Sequence, residues 1–282
     1  MTRHKTYGLL GFPVKHSFSP AMHNAAFRAL KIKSRYILFE KSSAQLPKFF
    51  SSLRNNNICG FNVTSPYKER VLGFIDGRIS EGARAIGAAN TIVVGKNGKL
   101  SAYNTDYMGF TKHIRQLKLK PKRIAIIGAG GAAKAICFAL GKQKCVCVAI
   151  YDIDKFKALA LAKKFNAIFE NTRFSSVANI EDLKTKDRDL LINASPVGMH
   201  KDDPCLIGRS LLHKGLFVYD LIYNPPQTKL IKLSAEEGIS CANGLGMLLY
   251  QGVEALSYWI KPRKAPVEVM RKALTEAIKN GR

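Results

Sequence analysis

The chain is poor in acid: 45 Lys and Arg stand against 20 Asp and Glu, a formal net charge of +25 over 282 residues. A field of that sign draws polyanions. The basic residues are nevertheless spread along the whole chain, with no basic tail, no zinc-finger spacing and no RNP-type aromatic motif. Nucleic acid is therefore not an expected partner, and a surface that attracts small anionic metabolites is. Long apolar runs are missing too; none approaches the roughly 18 residues of a membrane span. The first seven residues, Met1-Thr-Arg-His-Lys-Thr-Tyr7, carry charge but no apolar stretch of a secretory signal. These absences lead to the expectation of a cytoplasmic protein without a membrane partner; the sequence leaves its state open between monomer and homodimer. Six cysteines lack C-x-x-C spacing and a partnered His pair, which argues against a metal site or a disulfide framework and for reduced thiols.

What is present is a glycine-rich turn in a telling place. Residues 124–127 are an apolar run suited to a buried parallel strand, followed by Gly128-Ala129-Gly130-Gly131-Ala132-Ala133. Gly128 permits the tight exit turn, Gly130 lets backbone approach a pyrophosphate, and Ala133 fills the third small-residue position. The phosphates then face the unpaired N–H groups and positive dipole end of a helix over residues 132–140. A second buried strand over residues 145–151 ends at Asp152, 19 residues beyond Ala133. That is where an acidic side chain takes the ribose hydroxyls. The pattern predicts a dinucleotide-binding βαβ unit.

The rest of the chain alternates strands and helices, the signature of an α/β fold. Residues 7–12, 36–39 and 59–63 read as strands. Ser19 and Pro20 sit at the cap and first turn of a helix whose Met22, Ala26 and Leu30 recur at helical spacing, and Pro66 is placed to start another. Residues 90–94 and 100–103 flank an Asn97-Gly98 turn and predict a hairpin. Phe110, Ile114 and Leu117 predict a helix over about 107–118 that stops before Pro121. Residues 190–193 and 217–220 read as buried strands, the first leading into a loop at Ser195 that borders the expected cofactor. Leu245, Leu249, Val253 and Leu256 stripe one late helix and Val267, Met270, Leu274 and Ile278 the last. The expected organisation is a discontinuous α/β substrate domain with a mostly parallel sheet, residues 1–106 and 245–282, around a Rossmann-type domain, residues 107–244.

A nicotinamide enzyme needs a group that exchanges a proton with the reacting oxygen. Lys68, after the Thr64-Ser65-Pro66 turn, is placed to aim an amine into a cleft, and it equally fits a solvated lysine beside Glu69 and Arg70. Asp106, closing Tyr103-Asn104-Thr105, fits both a catalytic carboxylate and an ordinary turn or cap. Ser17 and Ser19 carry the same two readings.

Taken in order, the segments His16-Ser17-Phe18-Ser19-Pro20 with His23-Asn24, Gly60-Phe61-Asn62-Val63-Thr64-Ser65-Pro66-Tyr67-Lys68, Gly87-Ala88-Ala89-Asn90-Thr91, Asn104-Thr105-Asp106 with Gly109-Phe110, the glycine-rich turn, Asp220-Leu221-Ile222-Tyr223-Asn224-Pro225, and Gly244 with Met247 and Gln251-Gly252 resemble the shikimate and quinate dehydrogenases over nearly the whole chain. The resemblance implies reversible reduction of 3-dehydroshikimate to shikimate on the route to chorismate and the aromatic amino acids. It implies that Ser17 and Ser19 hold the substrate carboxylate, that Asn62, Thr64, Asn90 and Gln251 bond its hydroxyls, that Lys68 and Asp106 are the catalytic pair, and that Tyr223, Gly244 and Met247 lie near the nicotinamide. Such a polar lining can pair each group of a polyhydroxylated acid and reject analogues that leave one unpaired. NADP-using members of the family show Asn-Arg-Thr after the second strand of the βαβ unit. This chain has Asp152-Ile153-Asp154 there, so NAD is the expected cofactor, with NADP still possible through Lys155 and Lys157. The same acidic residue leaves an NAD-linked, catabolic quinate/shikimate dehydrogenase as an alternative, and Ser19 tips the reading toward shikimate. A non-catalytic dinucleotide-binding regulator is the alternative of another class.

Overall fold

The computed structural model describes residues 4–281 except Arg54. The chain divides into two compact units, Met1–Gly109 with Leu249–Arg282, and Phe110–Leu248. The expected boundaries at 106/107 and 244/245 lie within a few residues of these. In both places the chain passes from one unit to the other inside a helix, not in a Gly- or Pro-rich linker.

The first unit holds strands β1 (Lys5–Gly11), β2 (Ser34–Glu40), β3 (Ile58–Val63), β4 (Thr91–Val94) and β5 (Leu100–Tyr103), with helices α1 (Ser19–Ala29), α2 (Leu46–Ser51) and α3 (Glu81–Ile86) between them. Its sheet order is β2-β1-β3-β4-β5. β2, β1 and β3 run parallel, and β4 is antiparallel to both neighbours. Only the hairpin strand is reversed, because a short turn can connect only antiparallel strands. Gly98 supplies the positive φ of 77° that the turn requires. Phe39, Phe49, Phe61, Ile92 and Ala102 form part of the core on one face of this sheet.

Two local expectations fail here. Ser19 is not the cap of α1; that position is Phe18, with no side-chain bond. Ser17 Oγ accepts from Ser19 N at 3.3 Å, so the hydroxyl two residues earlier takes the free amide. No α-helix begins at Pro66 either. Tyr67 N closes a turn on Thr64 O and the Lys68 carbonyl accepts from Ala89 N at 2.8 Å, so the backbone is tied across to the segment before β4. Only a short 3₁₀ turn, Arg70–Phe74, follows.

α4 (Asp106–Gln116) leads into the second unit. Strands β6 (Arg123–Ile127), β7 (Cys147–Tyr151), β8 (Arg173–Ser176), β9 (Leu190–Asn193), β10 (Phe217–Asp220) and β11 (Cys241–Asn243) alternate there with α5 (Gly131–Lys142), α6 (Lys155–Asn166) and α7 (Lys229–Glu236). The sheet order β11-β10-β9-β6-β7-β8 is parallel throughout. This is the doubly wound arrangement, with its topological switch between β6 and β9. β6 is buried at every position but its first, as expected of a strand covered on both faces. α8 (Leu245–Ile260) returns the chain to the first unit, and α9 (Val267–Lys279) packs there on α1 and buries Met270 and Leu274.

All six cysteines are free. Among the described residues there is no helix long and apolar enough to cross a membrane, and no cluster of three or more His, Cys, Asp or Glu that could hold a metal ion.

Candidate functional site

In the first unit a set of polar side chains gathers around the carboxyl end of β3, the segment before β4 and the amino end of α4. Lys68 Nζ lies 2.7 Å from Asp106 Oδ2. The Asp106 residue is 6% exposed, while the Lys68 side chain keeps 22% of its surface. Asn104 presents this carboxylate: its Oδ1 accepts from Asp106 N at 3.1 Å, and its Nδ2 is anchored on Ala88 O at 3.0 Å. Asp106 is thereby held at the first turn of α4, where a negative charge also suits the helix dipole.

Asn90 holds the other carboxylate oxygen. Its Nδ2 donates to Asp106 Oδ1 at 2.8 Å and reaches Gln251 Oε1 at 3.3 Å, while its Oδ1 accepts from Thr105 N at 2.6 Å. Asn62 is buried beside it, with Nδ2 donating to Asn90 O and Thr91 Oγ1, both at 3.0 Å. Tyr36 donates its hydroxyl to Asn62 Oδ1 at 2.8 Å. Burial holds the Tyr36 phenol well above the tyrosine range, opposed by a hydrogen bond with Ser19, so it stays a donor. Ser17 Oγ meets Ser19 Oγ at 3.2 Å. Asn62, Lys68, Asn90, Asp106 and Gln251 are thus brought together, and Tyr36 links them to the serine pair. Thr64 follows β3 directly, held by its N–H on Leu10 O at 2.9 Å.

Tyr36 and Thr105 are members of this network that sequence reasoning passed over as functional residues. Tyr36 opens what reads as an apolar strand, and only its phenol hydroxyl at the head of Ile37-Leu38-Phe39 carried a signal.

In the second unit the loops at the carboxyl ends of the strands lie side by side. Gly128 has φ +103°, and a Cβ there would stand 2.8 Å from the Ala194 carbonyl carbon and Ser195 N. The β6 and β9 loops therefore meet backbone to backbone at the switch point. Ser195 turns its hydroxyl back to Asn193 Oδ1 at 2.7 Å, and Asn193 Nδ2 donates to the fully buried Asp220 at 2.9 Å. Asp220 also accepts from Thr228 Oγ1 at 2.6 Å and Ile222 N at 3.1 Å. Burial raises its pKa against those bonds. Gly244 packs on the Leu221 carbonyl, which sets residues 244–247 beside the strand ends. Tyr223 lies on the loop after β10, half-buried, its phenol raised by burial.

These residues fit a dinucleotide. α5 begins at Gly130–Gly131 with no side-chain cap on its first amides, and nothing stands within 4 Å of a Cβ built on Gly130. Free N–H donors and open space are what a pyrophosphate requires. Asp152 Oδ2 accepts from Ala129 N at 2.7 Å and Oδ1 from Asp154 N at 2.9 Å, which locks the acidic residue beside the glycine turn. Asp154 caps α6 through Phe156 N and Lys157 N.

Comparison with known proteins agrees with this layout. Residues 9–92 match the model of the shikimate dehydrogenase substrate binding domain, and residues 244–275 that of the shikimate 5'-dehydrogenase C-terminal domain. The chain is 39% identical over 259 residues to the shikimate dehydrogenase (NADP(+)) of Caldanaerobacter subterraneus subsp. tengcongensis, covering 90% of this chain and 91% of that one. It superposes with a TM-score of 0.91 on a crystal structure of a shikimate dehydrogenase in complex with NADP+, at 36% identity, covering 99% of this chain and 97% of that one. A shikimate 5-dehydrogenase from Listeria monocytogenes in complex with shikimate and NAD gives 0.87 at 30% identity, with 97% of each chain covered. The chain therefore belongs to the shikimate dehydrogenase family.

Proposed function

We propose that this chain is an NAD(P)-linked shikimate dehydrogenase that interconverts 3-dehydroshikimate and shikimate, with Lys68 and Asp106 as its catalytic pair. The 2.7 Å contact between Lys68 Nζ and Asp106 Oδ2, inside a network that fixes both carboxylate oxygens, is the observation that carries the reading. A buried carboxylate held at both oxygens is a good way to aim an ammonium.

The bound dinucleotide supplies and accepts the hydride. In reduction, Lys68 donates a proton from Nζ to the ketone oxygen, and in oxidation it takes the hydroxyl proton back. Asp106 orients the amine and offsets its charge. Ser17 and Ser19, joined through their hydroxyls, receive the substrate carboxylate. Asn62, Thr64, Asn90 and Gln251 line the hydroxyl side. Asn90 is positioned to meet a substrate hydroxyl and Asp106 together, so ring placement and amine placement are coupled. Residues 1–106 with 245–282 form the substrate domain and residues 107–244 the dinucleotide domain. In the latter Gly128, Ala129, Gly130, Gly131 and Ala132 cradle the pyrophosphate, and Ser195, Tyr223, Gly244 and Met247 border the nicotinamide.

Three features support a preference for NAD. Asp152 stands where the ribose hydroxyls are received, Asp154 already occupies the positive end of α6 that a 2′-phosphate needs, and Ile153, 91% exposed beside them, offers an apolar face to the adenine. The Caldanaerobacter relative and the first solved structure carry NADP(+) in their names, and the Listeria structure holds NAD. Initial rates with shikimate and quinate, each against NAD and NADP, test the whole reading. The expected outcome is fastest turnover with shikimate and NAD; rates at least about tenfold higher with NADP overturn the cofactor preference, and turnover of quinate alone overturns the substrate.

A further inference from the structure

Residues 244–247 are pressed between two walls. At Gly244 the wall is backbone: a Cβ there would overlap the Leu221 carbonyl. At Gly246 it is a side chain, the imidazole of His113, whose Nε2, Cδ2 and Cε1 occupy the space a Cβ would take. His113 sits near the end of α4 and is buried. Its Nδ1 lies 2.6 Å from the Tyr219 hydroxyl. Tyr219, on β10, is itself fully buried, packed edge-on against Phe110 at 5.5 Å. It also receives a hydrogen bond from the Met247 backbone.

Burial holds the Tyr219 pKa well above the tyrosine range, so the phenol keeps its hydrogen. A backbone N–H can only donate, so Tyr219 accepts from Met247, and its hydroxyl also pairs with His113 Nδ1. Nε2 is the ring nitrogen that lies nearest a Cβ built on Gly246. One imidazole therefore does two things. It anchors the phenol that holds the Met247 amide, and its ring sets how closely the chain at Gly246 can approach.

We infer that His113 and Tyr219 are positioning residues for hydride transfer, fixing the height of Gly246 and the direction of Met247 at the nicotinamide end of the site. The inference rests on the reading of Gly244 and Met247 as the segment that borders the nicotinamide. It adds a specificity rule for this chain: with His113 present, position 246 admits no side chain.

Steady-state kinetics and reduced-dinucleotide fluorescence on the full chain test it. His113→Ala and Tyr219→Phe are each expected to raise the KM for the dinucleotide, or lower kcat, by about tenfold, the effect of one buried hydrogen bond, while the KM for shikimate stays within about twofold. His113→Asn, whose amide reproduces Nδ1, restores the loss to within about threefold. Gly246→Ala costs about tenfold or more alone, and less than about threefold further in the His113→Ala background, because the clash has been removed. Unmoved dinucleotide parameters in folded His113→Ala and Tyr219→Phe overturn the inference. So does Gly246→Ala that is equally harmful with and without His113. Should His113→Ala not fold, Tyr219→Phe and His113→Asn decide the same question. A wild-type chain that binds neither NADH nor NADPH overturns the reading of the dinucleotide site itself, a result distinct from normal binding with unresponsive variants.

Discussion

The proposed substrate end of the first unit is made of side chains, and the proposed dinucleotide end of the second is made of backbone. Around Lys68 and Asp106, Asn62, Asn90, Asn104 and Thr105 spend their amides and hydroxyls on one another before any ligand arrives. Around Gly128 and Gly130 the recognition elements are N–H groups, a positive φ and empty space. The two materials fail differently. A side-chain network is broken by deleting an atom, because a buried partner is left unpaired at about 1–3 kcal/mol. A glycine turn is broken by adding one. In the proposed reaction the fixed network also preorganises the ammonium, so little rearrangement is left for the chemical step.

The largest effect should come from the side-chain end. Lys68→Ala is expected to lower kcat by about 10³ with the dinucleotide KM within about twofold, as read from initial rates and a fluorescence titration. Asp106, 6% exposed, loses its partner at Oδ2 and keeps Asn90 Nδ2 at Oδ1, so stability falls by about 1–3 kcal/mol, read as a lower melting temperature. A loss of dinucleotide affinity as large as the loss in kcat would break the contrast between the two ends.

Gly128→Ala probes the other material. Its φ of +103° and the 2.8 Å approach to Ala194 and Ser195 put the cost at about 1–3 kcal/mol. Dinucleotide affinity should fall by roughly tenfold or more while the Lys68–Asp106 contact persists in the variant's crystal structure. A dinucleotide affinity within twofold of wild type would show that the turn is not the phosphate cradle.

The smallest effect sharpens a contrast inside the first unit, where, among the described residues, the buried His23 ring and the Ser34 hydroxyl have no hydrogen-bond partner. His23 stacks on Tyr36 with ring centroids 4.4 Å apart, neither ring nitrogen has a hydrogen-bond partner, and burial pushes its pKa down to about 3. The unfolded value is near 6.5. Below that pH the unfolded chain takes up a proton that the folded chain refuses, so stability falls as pH drops from about 6.5 toward 3, with roughly 2 kcal/mol lost by pH 5. His23→Phe should flatten the melting temperature between pH 6.5 and 5 by a few degrees. An unchanged pH slope would assign the acid lability elsewhere.

The two units also differed in how much could be read from sequence. In the second, β9 and β10 begin and end at the expected residues, because buried parallel strands are continuous apolar runs. β8 and β11 were not legible. They are edge strands of four and three residues with little apolar character, and a neighbour's ladder defines them. In the first unit the hairpin at Gly98 was plain from its Asn-Gly signal. The turn at Pro66 and the cap of α1 were misread, since distant partners, Ala89 for Lys68 and Ser17 for Ser19, took the backbone groups that local rules assign to a helix. The catalytic candidates show the same limit. Spacing alone left Lys68 a surface lysine or a relay, and resemblance to a family named its role. The Asp106 contact spans 38 residues of sequence and is visible only in the fold.

The central claim is that the Lys68 amine carries the proton, and chemical rescue tests it most directly. Turnover of shikimate by Lys68→Ala should be near background in buffer and should rise in proportion to added methylammonium, with no such rise in wild type. A Lys68→Ala enzyme that oxidises shikimate at the wild-type rate without added amine would contradict the account.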